Sequence, residues 1–337
     1  MSIQAPTIHL VGVDSLLRVP HETKMQQSVL TPEEIASQAG SEIPFLRMPA
    51  RATVFAERAS RLRQLAERHP MSGYLRFVAD VADGQQALLD DMPPIRLPSQ
   101  AEIAKCNEHG MPPLNFQTHA RDQQWCNGLR HLLRALALRT SGRSHEVIVN
   151  LESSRDDFYE AQASSLLAGV TFGLDVASAP LIGAGLQVYF THLAIALGET
   201  RIPRNDVATV CPCCGSRPSA SIVRTGGRDT GYRFLHCTLC NTEWHMVRIK
   251  CTHCESTKGI SYLAVDDGAP VDKKAVMAEI CEECGTYLKI CHMDRDLLVE
   301  PVADDLSSLS LDLLVVETGK QSSGVNLMLI HGDPGPE

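Results

Sequence analysis

A chain of 337 residues is long enough for two or three domains. Its 40 acidic residues outnumber its 31 lysines and arginines, and the resulting formal charge of −9 at pH 7 argues against a molecule built to embrace nucleic acid. Of 12 cysteines, only Cys106 and Cys126 lie in the first two hundred residues; the rest fall between Cys211 and Cys291.

The opening residues, Met1 to Glu22, lack a basic start followed by a long apolar run. They do not read as a secretory signal, and the expected location is the cytoplasm. Residues 1 to about 48 read as mostly irregular. One short helix is expected at Thr31-Pro32-Glu33-Glu34, where Thr caps, Pro takes the first turn and the acids sit at the positive end. Ala50 to His69 has the apolar spacing of a helix through Val54, Leu62 and Leu65, and Pro70 ends it. Ser72 is placed to cap a second helix with Leu75, Val78, Ala79, Ala82 and Leu89 inward. Met92 to Pro113 is proline-rich and reads as a surface connection. Arg121 to Arg139 is amphipathic through Trp125, Leu129, Leu132, Leu133 and Leu136. Asp156 to Leu174 and Pro180 to Leu197 are apolar helices with small residues suited to close packing. The most apolar stretch, Ala179 to Leu197, contains Gln187, Thr191 and His192, so it reads as a core helix and no membrane span is expected. Residues 1–205 are therefore expected to form an all-helical domain.

After Ile202-Pro203-Arg204, which reads as a linker, the pattern changes. Four Cys-x-x-Cys pairs follow: Cys211/Cys214, Cys237/Cys240, Cys251/Cys254 and Cys281/Cys284. Two such turns brought together make a tetrahedral sulfur cage suited to zinc or a single iron. The layout occurs twice in tandem, so two cages are expected, one per unit. A reducing cytoplasm argues against disulfides. The residue after each pair should take a left-handed conformation, which Gly215 and Gly285 adopt freely and Asn241 at little cost, whereas Glu255 does not fit. Short strands are expected at Ser221–Thr225, Tyr232–Cys237, Glu243–Ile249, Ile260–Val265 and Val276–Cys281. These features predict two rubredoxin-like or zinc-ribbon modules, 206–247 and 248–300, too small to fold without metal. A C-terminal helix from Val302 to Glu317 within 301–337 is expected to turn Leu306, Leu309, Leu313 and Leu314 inward. The fold class is a multidomain α+β chain: helical domain, two tandem metal modules, final helix.

Charge separates the modules. The first carries Arg217, Arg224, Arg228, Arg233, Arg248 and Lys250. The second, with the tail, carries Asp266, Asp267, Glu279, Glu282, Glu283, Asp294, Asp296, Asp304 and Asp305. This is either a docking surface or an internal complement between modules. Gly226-Gly227 suggests that Arg224 and Arg228 stand at an exposed hairpin tip. Cys213 could replace Cys214 as a ligand or lie free beside the metal. Cys291 could be a spare thiol near the second site. Cys106 and Cys126 read as buried fillers. His236, His245, His253 and His292 flank cages already filled by sulfur.

The runs Cys211-Pro-Cys-Cys-Gly-Ser-Arg-Pro and Arg233-Phe-Leu-His-Cys-Thr-Leu-Cys-Asn-Thr-Glu-Trp-His-Met-Val-Arg-Ile-Lys-Cys resemble the FdhE family of formate dehydrogenase accessory proteins. The tail Asp304-Asp305-Leu-Ser-Ser-Leu-Ser-Leu-Asp resembles it too. The resemblance implies a cytoplasmic maturation factor that meets the catalytic subunit of a respiratory formate dehydrogenase before export, with iron bound by Cys211, Cys214, Cys237, Cys240, Cys251, Cys254, Cys281 and Cys284. Zinc is the alternative metal, and self-association is compatible with this role. No phosphate loop, nucleophile triad or paired-carboxylate signature is present, so a non-enzyme is expected. Two other functions compete: rubredoxin-type electron transfer, and nucleic-acid binding through the basic module with Tyr232, Phe234 and Trp244.

Overall fold

The computed structural model describes residues 7–11, 44–204, 209–226, 229–266, 268 and 270–330. The helix expected at Thr31 and the residue Arg228 lie outside them.

Helices occupy the first half: α1 (Val54–Leu65), α2 (Ser72–Asp91), α3 (Gln100–Glu108), α4 (Gln124–Ala137), α5 (Gly142–Glu152), α6 (Asp156–Ala168) and α7 (Ala179–Leu197). The apolar stripe read on α4 is the buried one: Trp125, Leu129, Leu132, Leu133 and Leu136. The same holds for Leu75, Val78, Ala79, Ala82 and Leu89 of α2, although Ser72 opens that helix without a side-chain cap. Nearly all of α7 is buried, as its composition requires. Small residues let neighbours close in: a Cβ on Gly183 would sit 3.0 Å from Leu327 Cβ. Among the described residues α7 alone is long and apolar enough to cross a membrane, and it is a core helix here. The stretch read as a connection, Met92 to Pro113, contains α3. Its start is a capping box in which Ser99 N–H donates to Glu102 at 2.7 Å and Glu102 N–H donates back to Ser99 Oγ at 3.3 Å. The Ser-x-x-Glu signature was there to be read. Helix α5, close behind α4, had no comparable signal.

The second half builds a sheet, which two early strands join. Its strands are β1 (Thr7–Val11), β2 (Leu46–Arg47), β3 (Pro218–Val223), β4 (Arg233–Cys237), β5 (Glu243–Met246), β6 (Ile260–Asp266), β7 (Val276–Cys281), β8 (Thr286–His292) and β9 (Gln321–Ser322). Residues 1–205 are therefore not all-helical as expected, because β1 and β2 pair with strands of the cysteine units. The spatial order is β1-β6-β7-β8-β3-β4-β5-β2, with β9 added to β8. Each cysteine unit is one antiparallel three-stranded meander, β3-β4-β5 or β6-β7-β8. Parallel pairing of β3 with β8 joins the two meanders into one surface, Ser221 opposite Ile290 and Val223 opposite His292. Strand β8 therefore lies at the centre of the sheet, yet no strand was expected there. Its Thr-Tyr-Leu-Lys-Ile-Cys-His run has β-type residues, but Lys289 interrupts the apolar pattern.

Lys289 is 3% exposed and sits between two carboxylates, 2.9 Å from Asp305 and 2.6 Å from Asp312. Burial works to lower its pKa, but Asp305 and Asp312 outweigh that and hold the ammonium above its ordinary value. The final helical segment is two helices, α8 (Pro301–Ser307) and α9 (Leu309–Glu317), broken at Ser308. Leu306 is buried as expected. In α9 the inward residues are Leu311 and Val315, whereas Leu313 is 62% exposed and Leu309 and Leu314 are half-buried. The break rotates the second helix relative to a single continuous one, so its periodicity is not that of Leu306.

Leu311→Ala is expected to cost about 2–5 kcal/mol, while Leu313→Ala should stay within about 0.5 kcal/mol. Urea unfolding of both variants checks this, and equal costs would contradict the assigned face.

Candidate metal centres

Each cage is made where the first turn of a meander meets its second. Cys211 and Cys214 precede β3, and Cys237 and Cys240 span the turn from β4 to β5. The strands β3 and β4 pair so that Pro218 faces Cys237, which sets the two turns side by side. In the other repeat Cys251 and Cys254 precede β6, Cys281 and Cys284 link β7 to β8, and Ile260 faces Cys281. The eight cysteines expected as ligands gather into two groups of four, with every sulfur of a group within 4.8 Å of the others. Closest approaches are 3.6 Å for Cys211–Cys240, 3.4 Å for Cys214–Cys237, and 3.7 Å for both Cys251–Cys284 and Cys254–Cys281. Metal–sulfur bonds of about 2.3 Å in a tetrahedron set sulfur–sulfur edges at about 3.8 Å. The donor set fits a tetrahedral thiophilic ion.

Local backbone shapes each turn. Gly215, Glu255 and Gly285 N–H groups donate to the carbonyls of Cys211, Cys251 and Cys281 at 2.8, 3.2 and 3.0 Å. The amides of Leu239 and Cys240 point at Cys237 Sγ, both at 3.4 Å, and those of His253 and Cys254 point at Cys251 Sγ at 3.3 and 3.4 Å. Such geometry needs a positive φ after the second cysteine. Gly215 has φ 76°, Asn241 56°, Glu255 60° and Gly285 70°. Glu255, the residue that does not suit the position, adopts it nonetheless. Lys250 holds its carboxylate at 2.5 Å.

Thr242 and Thr286 were missed in the sequence. Thr242 Oγ1 lies 3.3 Å from Cys240 Sγ, and Thr286 Oγ1 lies 3.1 Å from Cys284 Sγ. Both occupy the same place in their repeat, two residues past the last cysteine, so a Cys-x-x-Cys-x-Thr comparison would have found them. Thr242 Oγ1 accepts from the Cys240 thiol, and a hydroxyl in contact with a ligand sulfur helps to orient it.

The sulfurs differ electrostatically. Burial pushes the Cys211 and Cys214 thiols well above their ordinary value. Cys240, despite the burial that opposes it, is held well below by hydrogen bonds from Cys211, Cys213 and Cys214. In the second cage burial raises Cys281 to about 12. Cys284, against its own desolvation, is lowered to about 7 by hydrogen bonds from Thr286 and then by Cys254 and Cys251. Four touching sulfurs cannot all be thiolates without a cation between them.

The remaining cysteines stand outside the cages. Cys213 is fully buried; its carbonyl accepts from Leu114 N–H at 3.0 Å, and its thiol bonds toward Cys240 and Thr242. Cys291 is not beside the second cage: it packs in the sheet with Ala220, Ile222, Phe234 and Val299. Cys126 is a buried filler and Cys106 is half-buried. No histidine belongs to either group. His236 instead bridges Glu243 at 3.4 Å and Asn241 at 3.2 Å.

Of the two readings of the charge asymmetry, several of these residues follow the internal complement. Arg233 is buried and pairs with Glu279 across the two repeats at 2.8 Å, while its Nη1 donates to the carbonyls of Arg248 and Lys250, both at 3.2 Å. Arg224 is no exposed hairpin tip: its Nε donates to Glu243 at 3.0 Å. Burial would raise the Glu243 pKa, but Arg224 and His236 drive it far below the ordinary glutamate value. Asp304 and Asp305 are buried.

The fold and the cages define a class: a helical body joined to a doubled sheet that carries two four-cysteine centres able to hold metal. The chain belongs to the FdhE family. Its residues 43–206 match the FdhE N-terminal model, 210–248 the FdhE central domain and 249–329 the FdhE C-terminal domain. A Protein FdhE homolog of Pseudomonas aeruginosa is 39% identical over 309 residues, covering 91% of this chain and 99% of that protein. Protein FdhE of Salmonella dublin is 38% identical over 313 residues, covering 92% and 99%. The crystal structure of the FdhE protein from Pseudomonas aeruginosa superposes with a TM-score of 0.78 at 38% identity, over 86% of this chain and 100% of that one.

Both Glu255→Gly and Glu255→Ala lose the Lys250 contact, so their comparison isolates backbone strain. The glycine variant should be more stable by about 1 kcal/mol. Thermal unfolding of the metal-loaded proteins reads the difference; an alanine variant as stable as glycine would contradict the strained turn.

Proposed function

We propose that this chain is a cytoplasmic accessory factor for formate dehydrogenase that recognises the enzyme's catalytic subunit. In this reading Cys211, Cys214, Cys237 and Cys240 hold one metal ion, and Cys251, Cys254, Cys281 and Cys284 hold another. Iron is the first candidate, with zinc as the alternative the same thiolates accept. The observation that carries the metal assignment is the near-tetrahedral sulfur spacing in both repeats. When bound, the ion cross-links two turns of a small β unit and supplies part of its folding energy. The residues of the chain do the rest: backbone amides and Thr286 stabilise sulfur charge, and left-handed residues close each turn.

Support for a binding role, not turnover, comes from the closed donor sets. Four sulfurs complete a tetrahedron and leave no position for a substrate. The link to formate dehydrogenase rests on the family resemblance of the cysteine runs. Rubredoxin-type electron transfer is a second reading, favoured by the exposure of Cys254. The nucleic-acid reading loses its basis, because Arg224 and Arg233 are committed to internal carboxylates.

Protein purified from its native host should contain one ion for each of the two groups. Elemental analysis checks the count, and a colourless zinc form would remove electron transfer. A tagged chain should retain the formate dehydrogenase catalytic subunit from host extract, identified by mass spectrometry. Failure of that capture would sink the accessory role while leaving the metal assignment standing.

A further inference from the structure

The two cages are chemically alike but differently housed. All four sulfur residues of the first are fully buried, each at 0% exposure. Both of its turns dock against the helical half. The carbonyls of Cys213 and Cys214 accept from Leu114 and Phe116 N–H groups, each at 3.0 Å. On the other turn, Gln187 of α7 donates to Thr238 O at 2.8 Å, Arg58 of α1 donates to Asn241 Oδ1 at 2.7 Å, and Asn241 donates to Thr191 of α7 at 2.7 Å. A Cβ on Gly215 would meet Asn115 Nδ2 at 3.3 Å. Opening this cage requires moving packed helices.

The second cage is built on the other meander, β6-β7-β8. Cys251 and Cys281 are buried, but Cys284 is only half-buried and Cys254 is exposed. Its flanks are open too: His253, Thr257, Lys258, Glu282 and Glu283 are all exposed. Among the described residues its turns bond to each other and to the tail strand and to no helix: Glu282 N–H donates to Gly259 O at 2.9 Å, Lys250 pairs with Glu255, Gln321 N–H donates to Gly285 O at 3.0 Å, and Lys320 pairs with Glu282.

Resting on the metal reading above, we propose a division of labour: the first centre is a permanent pin between the helical body and the sheet, and the second is the exchangeable centre, at which solution thiols and chelators act through Cys254 and Cys284. Release from the second needs only the opening of a surface turn and of the short, largely exposed tail strand bonded to it, whereas release from the first needs separation of buried elements.

The test uses the full chain loaded with two zinc ions and challenged with excess pyridylazo-resorcinol, read by its colour. In parallel, the loaded protein is exposed to iodoacetamide and mapped by peptide mass spectrometry over time. One ion should leave faster than the other by a factor of about ten or more. Alkylation of Cys254 and Cys284 should keep pace with the fast phase, with Cys211, Cys214, Cys237 and Cys240 protected until the slow one. Cys254→Ser should retain one ion that leaves only at the slow rate, with the helical far-ultraviolet signal intact. Two ions leaving together, or first-cage cysteines alkylated in the fast phase, would overturn the proposal. A chain that accepts fewer than two ions would instead overturn the metal reading on which it rests.

Discussion

The guanidinium of Arg58 joins the halves of this molecule. It is 1% exposed and reaches three elements at once: Nε donates to Glu300 at 3.0 Å, Nη1 to Gln187 at 3.4 Å and Nη2 to Asn241 at 2.7 Å. Glu300 in turn caps α8 by accepting from Ala303 N–H at 2.7 Å. One turn along α1, Arg61 grips Asp304 of the same helix with two hydrogen bonds, at 2.9 and 2.6 Å. Burial tends to lower the Arg61 pKa, but Asp304 and Asp296 hold it above its ordinary value. A buried ion pair of this kind contributes little net stability compared with apolar packing, yet losing one partner is expensive. Its effect is specificity of docking: α1, α7, the Cys237–Cys240 turn and α8 can meet in only one register.

The sheet shows how a duplicated unit becomes one body. Two meanders related by translation would each present bare edges. Here the third strand of one repeat pairs in parallel with the first strand of the other, and Arg233–Glu279 crosses the seam. Part of the opposite charge of the two units is therefore spent inside the fold. What remains outside is asymmetry of environment. The same cysteine pattern is sealed by helices in one repeat and open to solvent in the other.

Which parts of this were legible follows from the range of the interactions. The cages were legible because a Cys-x-x-Cys turn is local and its pairing partner recurs at a regular distance. The left-handed residue after each pair was legible for the same reason, and Glu255 shows that metal-turn geometry overrides residue preference. The apolar stripes of α2, α4 and α7 came through because burial repeats with the helical period. Strand β8 did not, because Lys289 looks like a surface residue until Asp305 and Asp312 are brought to it from another element. Arg58, Glu300, Asp304 and Glu279 were illegible likewise: a charged residue in a sequence reads as solvated, and only long-range folding reveals the partner that makes burial tolerable. Cysteine counting alone could not tell Cys213 from Cys214; sulfur positions do, since the Cys214 thiol joins the group of four and lies 3.4 Å from Cys237.

The two outer edges of the sheet are covered by the earliest strands of the chain, β1 beside β6 and β2 beside β5. Thr7 pairs with Asp266 and Leu46 with Trp244. On the ribosome, β1 and β2 emerge long before their partners exist, while the helices between can fold on local contacts. The sheet is thus flanked by segments that are made early and must wait for their partners. A nascent chain interrupted before β6 keeps an unpaired β1, and β1 finds its partner only once the second cysteine unit has begun to be made. Edge pairing in this architecture waits on the cysteine units.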